Sequence, residues 1–301
     1  MRNILKKLNK IKPIRKLYLI IPTRLYLMLA YQMITGKKLR INPPQTLNEK
    51  IQWKKIYDRN LIYTLCADKY AVRKYIENKI GKKYLIPLLY HTKMAKSINL
   101  SNIKPPFIIK PNNASGQIII IKNKKEIVKK DIINKCEEWL NSNFYFDTRE
   151  WQYKKIIPEI LIERLLLTKE GNIPNDYKFH CFNGIVEFIQ VDTDRFTDHK
   201  RGMFDLNWKS KPFTWAPRKN NLPKYKIIKI ARKPKNLRKM IKIAEILSKD
   251  FDYVRVDLYS ANNRIYFGEL SFTPASGFES FFPDKYDLFY GKKLRLSVVK
   301  K

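Results

Sequence analysis

Hydrophobic and polar residues alternate from Val254 to Leu258 inside a β-rich run, Tyr253 to Tyr259, and a second β-rich run, Ile265 to Ser271, follows across the polar turn Ser260–Arg264. That pattern predicts a β-hairpin. Successive strand residues point to opposite faces, so Val254, Val256 and Leu258 share one face while Arg255 and Asp257 share the other. In the second run Gly268 and Leu270 share a face, and Glu269 and Ser271 share the opposite one. A turn with an odd number of residues, Ala261–Asn263 or Asn262–Arg264, sets Asp257 and Glu269 on the same face, directly opposite or one diagonal apart. One cation could then touch both. Two carboxylates with Arg255 beside them make a hard-oxygen site suited to Mg²⁺ and phosphate. The plainer reading is a partly solvated hairpin edge, and the rest of the chain bears on the choice.

Upstream, Thr46-Leu-Asn-Glu49 reads as a capping box opening a helix with Ile51, Trp53 and Ile56 near one stripe. A second helix is predicted from about Ala67 to Lys79, with Gly81 as its C-cap. Lys69 would sit near that helix's N-terminus, where a cation is unfavourable, so it answers to an anion or points to solvent. The run Pro106–Ile121 predicts two buried strands around a loop of Asn, Ala, Ser115 and Gly116, with Lys110 at the strand end. Such a loop can turn backbone N–H groups toward an anion. A helix follows over 129–140. Glu163 lies inside an apolar strand and must be paired or hydrogen-bonded if buried. Asp176–Val191 predicts another hairpin with Asn183-Gly184 at its tip and with Asp176 and Lys178 on one face.

Charge changes this picture in two places. Residues 1–40 hold eleven Lys or Arg and no acid, around an apolar stretch from Leu17 to Ile34 that Pro22 and Arg24 interrupt. A spanning helix needs about 20 apolar residues, and a central Arg is costly. The segment therefore reads either as a basic element lying on an anionic leaflet or as a helix packed on the body. Residues 209–242 hold thirteen Lys or Arg and no acid, interleaved with Trp215 and Tyr225, and predict a basic loop leading into a helix over 236–248. They form an anion-binding surface or a solvated face. Over 301 residues the formal charge is +35, which implies anionic partners: nucleotide, phosphorylated lipid, nucleic acid or an acidic polysaccharide. Part of it follows from joint enrichment of Lys, Asn and Ile. Three widely spaced cysteines, Cys66, Cys136 and Cys181, read as reduced cytosolic thiols, and the three histidines are too scattered for a zinc site. Neither a Gly-x-x-x-x-Gly-Lys-Ser/Thr loop nor a Gly-x-Gly-x-x-Gly turn is present.

In order along the chain, Asp68-Lys69, Phe107-Ile-Ile-Lys110-Pro with the Ser115-Gly116 loop, Ile162-Glu163, Asp176-Tyr-Lys178-Phe, Val254-Arg255-Val-Asp257 and Gly268-Glu269-Leu resemble an ATP-grasp protein. Thr46-Leu-Asn-Glu-Lys-Ile-Gln-Trp and Asp68-Lys-Tyr-Ala-Val-Arg resemble the TupA-like branch, associated with teichuronopeptide and surface-polysaccharide biosynthesis. The resemblance covers roughly residues 40–292. It implies an α+β, ATP-grasp fold in which two α+β subdomains clasp ATP, preceded by a basic helical N-terminal segment. Residues 1–40 would be that segment, 41–104 a helical region, 105–292 the catalytic region and 293–301 a basic tail. Lys69 and Lys110 would contact the ATP phosphates, and Ser115 and Gly116 would belong to the loop closing over them. Glu163 with the backbone after it would meet adenine and ribose, and Asp176 would join the nucleotide-binding set. Asp257 and Glu269 would hold Mg²⁺, while Arg255 and Lys178 would face the γ-phosphate. Many ATP-grasp enzymes carry Asn two residues after the metal Glu; here it is Ser271, whose hydroxyl can ligate Mg²⁺ or hold a bound water.

The activity implied is Mg-ATP-dependent carboxylate–amine ligation through an acylphosphate, in cell-surface polysaccharide (capsule) biosynthesis or modification. Its partners would be an acidic glycan or other carboxylate acceptor and an amine donor. The location would be cytoplasmic, with peripheral contact to the inner membrane face. Two other readings compete. Asp192-Thr193-Asp194 could hold a metal on a nucleotide sugar, as in a glycosyltransferase. The charge could instead mark a non-enzymatic anion or nucleic-acid binder, although Asp257 and Glu269 would repel a phosphate backbone.

Overall fold

A computed structural model describes residues 21–194 and 197–297 of the chain. The basic segment expected over residues 1–40 therefore lies partly outside the described residues. Helix α1 (Thr23–Thr35) packs Tyr26, Leu27, Ala30 and Tyr31 into a small cluster with Leu39 and Ile41. Helix α2 (Leu47–Tyr57) opens on the expected capping box: Thr46 accepts from the Glu49 N–H, and the Glu49 carboxylate accepts from the Thr46 N–H. It is tied to the far end of the sequence, where Asn48 donates to Asp287 and Gln52 to the carbonyls of Ser276 and Gly277.

A short helix α3 (Leu61–Ala67) comes next, and the helix expected from about Ala67 to Lys79 starts instead at Val72, as α4 (Val72–Ile80). The reason is Asp68, whose carboxylate accepts from the N–H groups of Tyr70 and Ala71 and so closes a tight turn between them. Lys69 sits in that turn rather than in the first turn of a helix. Its N–H donates to the Asn112 carbonyl, which fixes the turn against the loop of the next hairpin.

Two sheets follow. Strands β1 (Leu88–Thr92), β2 (Phe107–Pro111), β3 (Ile119–Ile121) and β4 (Ile160–Arg164) form an antiparallel sheet in the order β1-β4-β2-β3. Between β3 and β4 run helices α5 (Lys129–Leu140) and α6 (Tyr145–Thr148). Ile132, Cys136 and Trp139 of α5 pack with Phe107, Ile109, Ile160 and Ile162 on one face of this sheet. By alternation the other face carries Ile108, Lys110 and Glu163.

The larger sheet contains β5 (Asp176–Phe182), β6 (Ile185–Thr193), β7 (Lys200–Phe204), β11 (Lys226–Ile227), β12 (Tyr253–Ala261) and β13 (Arg264–Ser271), in the order β11-β7-β6-β5-β12-β13. Between β7 and β11 lie β8 (Thr214–Ala216), β9 (Arg218–Lys219) and β10 (Leu222–Pro223). After β11 comes helix α7 (Leu237–Ser248), and after β13 come β14 (Ser280–Phe282) and helix α8 (Lys285–Lys293). The Asn183-Gly184 turn joins β5 to β6 with both residues at positive φ, as a two-residue hairpin requires. Phe179, Cys181, Val254, Val256, Leu258 and Leu270 face α4 and α7 in the main core. The amphipathic α7 supplies Leu237, Met240, Ile243, Ala244 and Leu247.

The opposite face is divided. Near Tyr253, Phe182 and Phe188 it is aromatic and covered by α2 and α8. Toward Asp257 it is polar, and this half looks into the cleft against the smaller sheet. The basic stretch 209–242 is not one loop: it folds into β8 through β11 before α7. Two of its cations are drawn into ion pairs, Arg218 with Asp284 and Lys226 with Asp198.

Candidate active site

Asp257 and Glu269 are register partners on β12 and β13, so they do share a face. The route differs from the expected odd turn. The turn is Asn262-Asn263, two residues at positive φ, and Ala261 pairs with Arg264. Continued regularly, that register would set Gly268 opposite Asp257 and send Glu269 to the core face. Instead Leu258 pairs with Phe267 and Asp257 with Glu269, so Gly268 is the extra residue of a β-bulge. A Cβ at Gly268 would lie 3.0 Å from the Asp257 carbonyl oxygen and 3.1 Å from the Tyr259 ring. Glycine lets the strands approach there.

Around this pair the charges interlock. Arg255 donates from Nε to Asp257 Oδ1 at 2.7 Å and from Nη2 to Asp257 Oδ2 at 2.7 Å. The same Nη2 reaches Glu269 Oε1 at 3.1 Å and the Ser271 hydroxyl at 3.0 Å, and that hydroxyl donates to Glu269 Oε1 at 3.2 Å. Lys178 on β5 donates to Asp257 Oδ2 at 2.8 Å and lies 3.5 Å from Asp176 and 3.9 Å from Asp192. Burial weakens the Arg255 cation, but the Asp257 and Glu269 carboxylates outweigh it, so the guanidinium is held more firmly charged than usual. Asp257, Lys178 and Asp176 are buried, whereas the Glu269 side chain keeps 29% of its surface open.

Two lysines reach in from the other side. Lys69 donates from Nζ to the Ala114 carbonyl at 2.6 Å and stands 3.6 Å from Glu269 Oε2. It thus joins the Ser115-Gly116 loop to the carboxylate pair. Desolvation lowers its pKa below the ordinary lysine value, with Glu269 opposing. Lys110 pairs with Glu163 at 2.6 Å, and Arg73 reaches the same carboxylate at 3.3 Å while donating to the Ile86 carbonyl. Glu163, expected to need a partner, has two cations. Arg73 closes the Asp68-Lys-Tyr-Ala-Val-Arg segment that carries the branch resemblance, which is its only signal in the sequence and assigns it no role.

A cleft lies between the sheets. Ile108, Lys110, Ile120 and Glu163 of the smaller sheet face Asp176, Tyr259 and Gly268 of the larger, and Leu165, Leu166, Ile173 and Pro174 close one end. An apolar slot with a few polar groups at its rim suits a planar base. The Ser115-Gly116 loop is exposed, while Asn112 before it is locked by Ile157 and Glu159. A broader open depression of about 640 Å³ shares none of these residues; Lys211, Lys285 and Lys292 border it, with Tyr286 and Phe289.

Mg²⁺ takes oxygen ligands. The Asp257 and Glu269 carboxylates and the Ser271 hydroxyl offer these on one sheet face, with Arg255, Lys178 and Lys69 balancing their charge, so the donor set fits a hard cation. Among the described residues there is no group of three or more His, Cys, Asp or Glu arranged for a metal. Phosphate oxygens would have to complete the coordination. Asp192 and Asp194 do not form an open metal pair. Asp192 is buried, with Arg201 Nε at 2.7 Å and His199 at 3.2 Å, and these partners with Lys178 hold its pKa well below the usual range despite burial. Asp194 stands at φ 50° and pairs with Lys200 at the surface.

A family model described as TupA-like ATP-grasp matches residues 49–295. No curated protein matches the sequence. Among solved structures, D-alanine–D-alanine ligase from Bacillus anthracis complexed with ATP is similar at a TM-score of 0.39 and 15% identity, over 69% of this chain and 53% of that one. The corresponding ligase from Helicobacter pylori is similar at 0.41 and 17% identity, over 77% and 60%. The ATP-grasp ligase PsnB, complexed with a phosphomimetic precursor variant, Mg and ADP, is similar at 0.39 and 9% identity, over 70% and 51%. The chain thus spans little more than half the length of these proteins.

Proposed function

The chain belongs to the TupA-like ATP-grasp family, and from that premise we propose that it is a Mg-ATP-dependent carboxylate–amine ligase working through an acylphosphate. The observation that carries this reading is the Asp257–Glu269 register pair, set among Arg255, Lys178 and Lys69 beside a cleft whose other wall holds Lys110 and Glu163. The acceptor we assign is an acidic cell-surface glycan or its precursor. Its support is the branch of the family and the charge of +35. ATP use and three free, buried cysteines fit a cytoplasmic location.

Lys69 and Lys110 would turn from Glu269 and Glu163 to the ATP phosphates, and the Ser115-Gly116 loop, held through Ala114 by Lys69, would close over them. The substrate carboxylate oxygen bonds to the γ-phosphorus as the β,γ-bridging P–O bond breaks, giving ADP and an acylphosphate. Arg255 and Lys178 would face the charge on the moving phosphoryl group, where preorganised cations act most strongly. The amine nitrogen then bonds to the acyl carbon, inorganic phosphate leaves, and the nitrogen gives its proton to solvent. Mg²⁺ held by Asp257, Glu269 and Ser271 would offset the phosphate charge. No side-chain nucleophile is needed. His180 stays out of the chemistry: burial and the nearby Arg255 push its pKa far down, and it bonds Tyr253 and Gln190 inside the sheet face.

Thermal denaturation with Mg-ATP, with a Mg-nucleotide sugar and with Mg²⁺ alone tests the reading. A ligand at 100 times its Kd adds about 2.7 kcal/mol. Mg-ATP should stabilise the wild type and do so less in Glu269→Gln. Stabilisation by the nucleotide sugar alone would overturn the proposal. ADP release that requires both an acid and an amine would then identify the substrates.

A further inference from the structure

Helix α1 is apolar on the side it turns away from the protein. Tyr26, Leu27, Ala30 and Tyr31 face inward. On the outer side Leu25, Met28, Leu29 and Met33 are exposed by 49%, 40%, 50% and 49%. Positions 25, 28, 29, 32 and 33 form one stripe at helical spacing, and Gln32 is its sole polar member. A single exposed Leu needs no account. Four large apolar side chains on one stripe do, because a surface helix ordinarily presents charge there.

The charge beside the stripe points to its occupant. Arg24, four residues before Met28, is exposed, as are Lys38 and Arg40 just beyond the helix. No acid precedes Glu49, and residues 1–40 carry eleven Lys or Arg. With 13 residues the helix is about 20 Å long, too short to cross a hydrocarbon layer, and among the described residues no helix is long and apolar enough to do so. Lys37 is paired with Asp284, but an apolar stripe flanked by Arg24, Lys38 and Arg40 complements a surface that is anionic outside and apolar beneath. A second copy of the chain would bring the same cations to the stripe and repel it. We propose that α1 seats the protein on an anionic lipid leaflet, with Leu25, Met28, Leu29 and Met33 entering the headgroup–acyl boundary and the flanking basic residues meeting lipid phosphates. This stands independently of the ligase reading.

The full chain would be sedimented with phosphatidylcholine vesicles and with vesicles that also contain phosphatidylglycerol. Binding to the anionic vesicles alone, released by high salt, is expected. Met28→Glu/Leu29→Glu should weaken it at least about tenfold at an unchanged thermal midpoint, whereas Leu61→Glu, exposed elsewhere on α3, should not. Met28→Trp keeps the stripe apolar, and brominated acyl chains should quench its emission beyond that of the wild type. No binding by the wild type, equal binding by the double variant, or an unquenched Met28→Trp would overturn the proposal. So would a lowered thermal midpoint of the double variant, which would mean that the chain itself covers the stripe. A wild-type dimer that the double variant dissolves would assign the stripe to a second copy instead.

Discussion

Glu269 stands opposite Asp257 because Gly268 is one residue too many in β13. The site therefore depends on a residue with no side chain. Gly268→Val would press new carbon atoms on the Asp257 carbonyl and the Tyr259 ring, already 3.0 and 3.1 Å from a Cβ position. We expect a loss of roughly 1–3 kcal/mol in stability and loss of the stabilisation by Mg-ATP, both read by thermal denaturation. Undiminished Mg-ATP stabilisation would show that the register pair is dispensable.

The two carboxylates should respond differently to neutralisation. Glu269 is partly open and its loss leaves Arg255 bound to Asp257. Glu269→Gln should keep its fold and lower ADP release by at least about a hundredfold. Asp257 is buried between Arg255 and Lys178, so Asp257→Asn takes the nearest carboxylate from both cations, leaving Arg255 to Glu269 and Lys178 to Asp176 and Asp192. It should cost about 1–3 kcal/mol of stability as well as activity. Turnover retained in both variants would remove the metal assignment.

Lys69 and Lys110 should both act on ATP affinity. Either alanine variant should raise the KM for ATP, and Lys110→Ala, which leaves the buried Glu163 to Arg73 alone, should also lower stability by about 1–3 kcal/mol. Lys69 has a pH signature of its own. Because desolvation lowers the Lys69 pKa, its charge is lost at a lower pH than that of an ordinary lysine, and KM for ATP should rise early on the alkaline side. Lys69→Arg should abolish that early rise, which initial-rate measurements across alkaline pH would show.

Much of this site could be read from sequence wherever the signal was local. The capping box at Thr46 and Glu49, the Asn183-Gly184 turn and the alternation through Val254–Leu258 each act over a few residues and appear as expected. Three features depend on something alternation does not encode. The bulge at Gly268 is set by how two strands meet, and the only hint was a glycine inside a strand. The break before α4 arises because the Asp68 side chain captures backbone N–H groups that a helix would otherwise use. The pairing of Glu163 with Arg73 joins residues 90 apart in sequence. Local pattern predicted that Glu163 needed a cation and could not say which one.

Asp192 and Asp194 offer a direct discrimination between chemistries. Asp192 anchors Arg201, which also holds the Trp215 carbonyl and Glu279. Asp192→Asn should therefore destabilise the fold by about 3–5 kcal/mol, while the exposed Asp194→Asn should change stability by less than about 0.5 kcal/mol. Urea denaturation of both variants checks this. A metal site on the triplet would instead make the two substitutions equally damaging to Mg²⁺-dependent ligand binding, with little effect on stability in either.

Asp287 should give the fold a pH dependence of its own. It accepts from the Asn48 backbone and side chain and so joins α8 to α2. Burial raises its pKa from 3.8 to about 6, with those two hydrogen bonds opposing. A carboxyl whose pKa is higher in the folded state stabilises that state while protonated. The contribution is complete below about pH 4 and is lost as pH rises through 6. A rise of that size is worth roughly 3 kcal/mol. Other acids titrate over the same range, so the useful quantity is the difference from Asp287→Asn, which cannot ionise. Between pH 7 and pH 4 the wild type should gain on the variant by about that amount in urea denaturation. Parallel curves would mean that Asp287 ionises as an ordinary surface carboxylate does, and that the contact between α2 and α8 is insensitive to its charge.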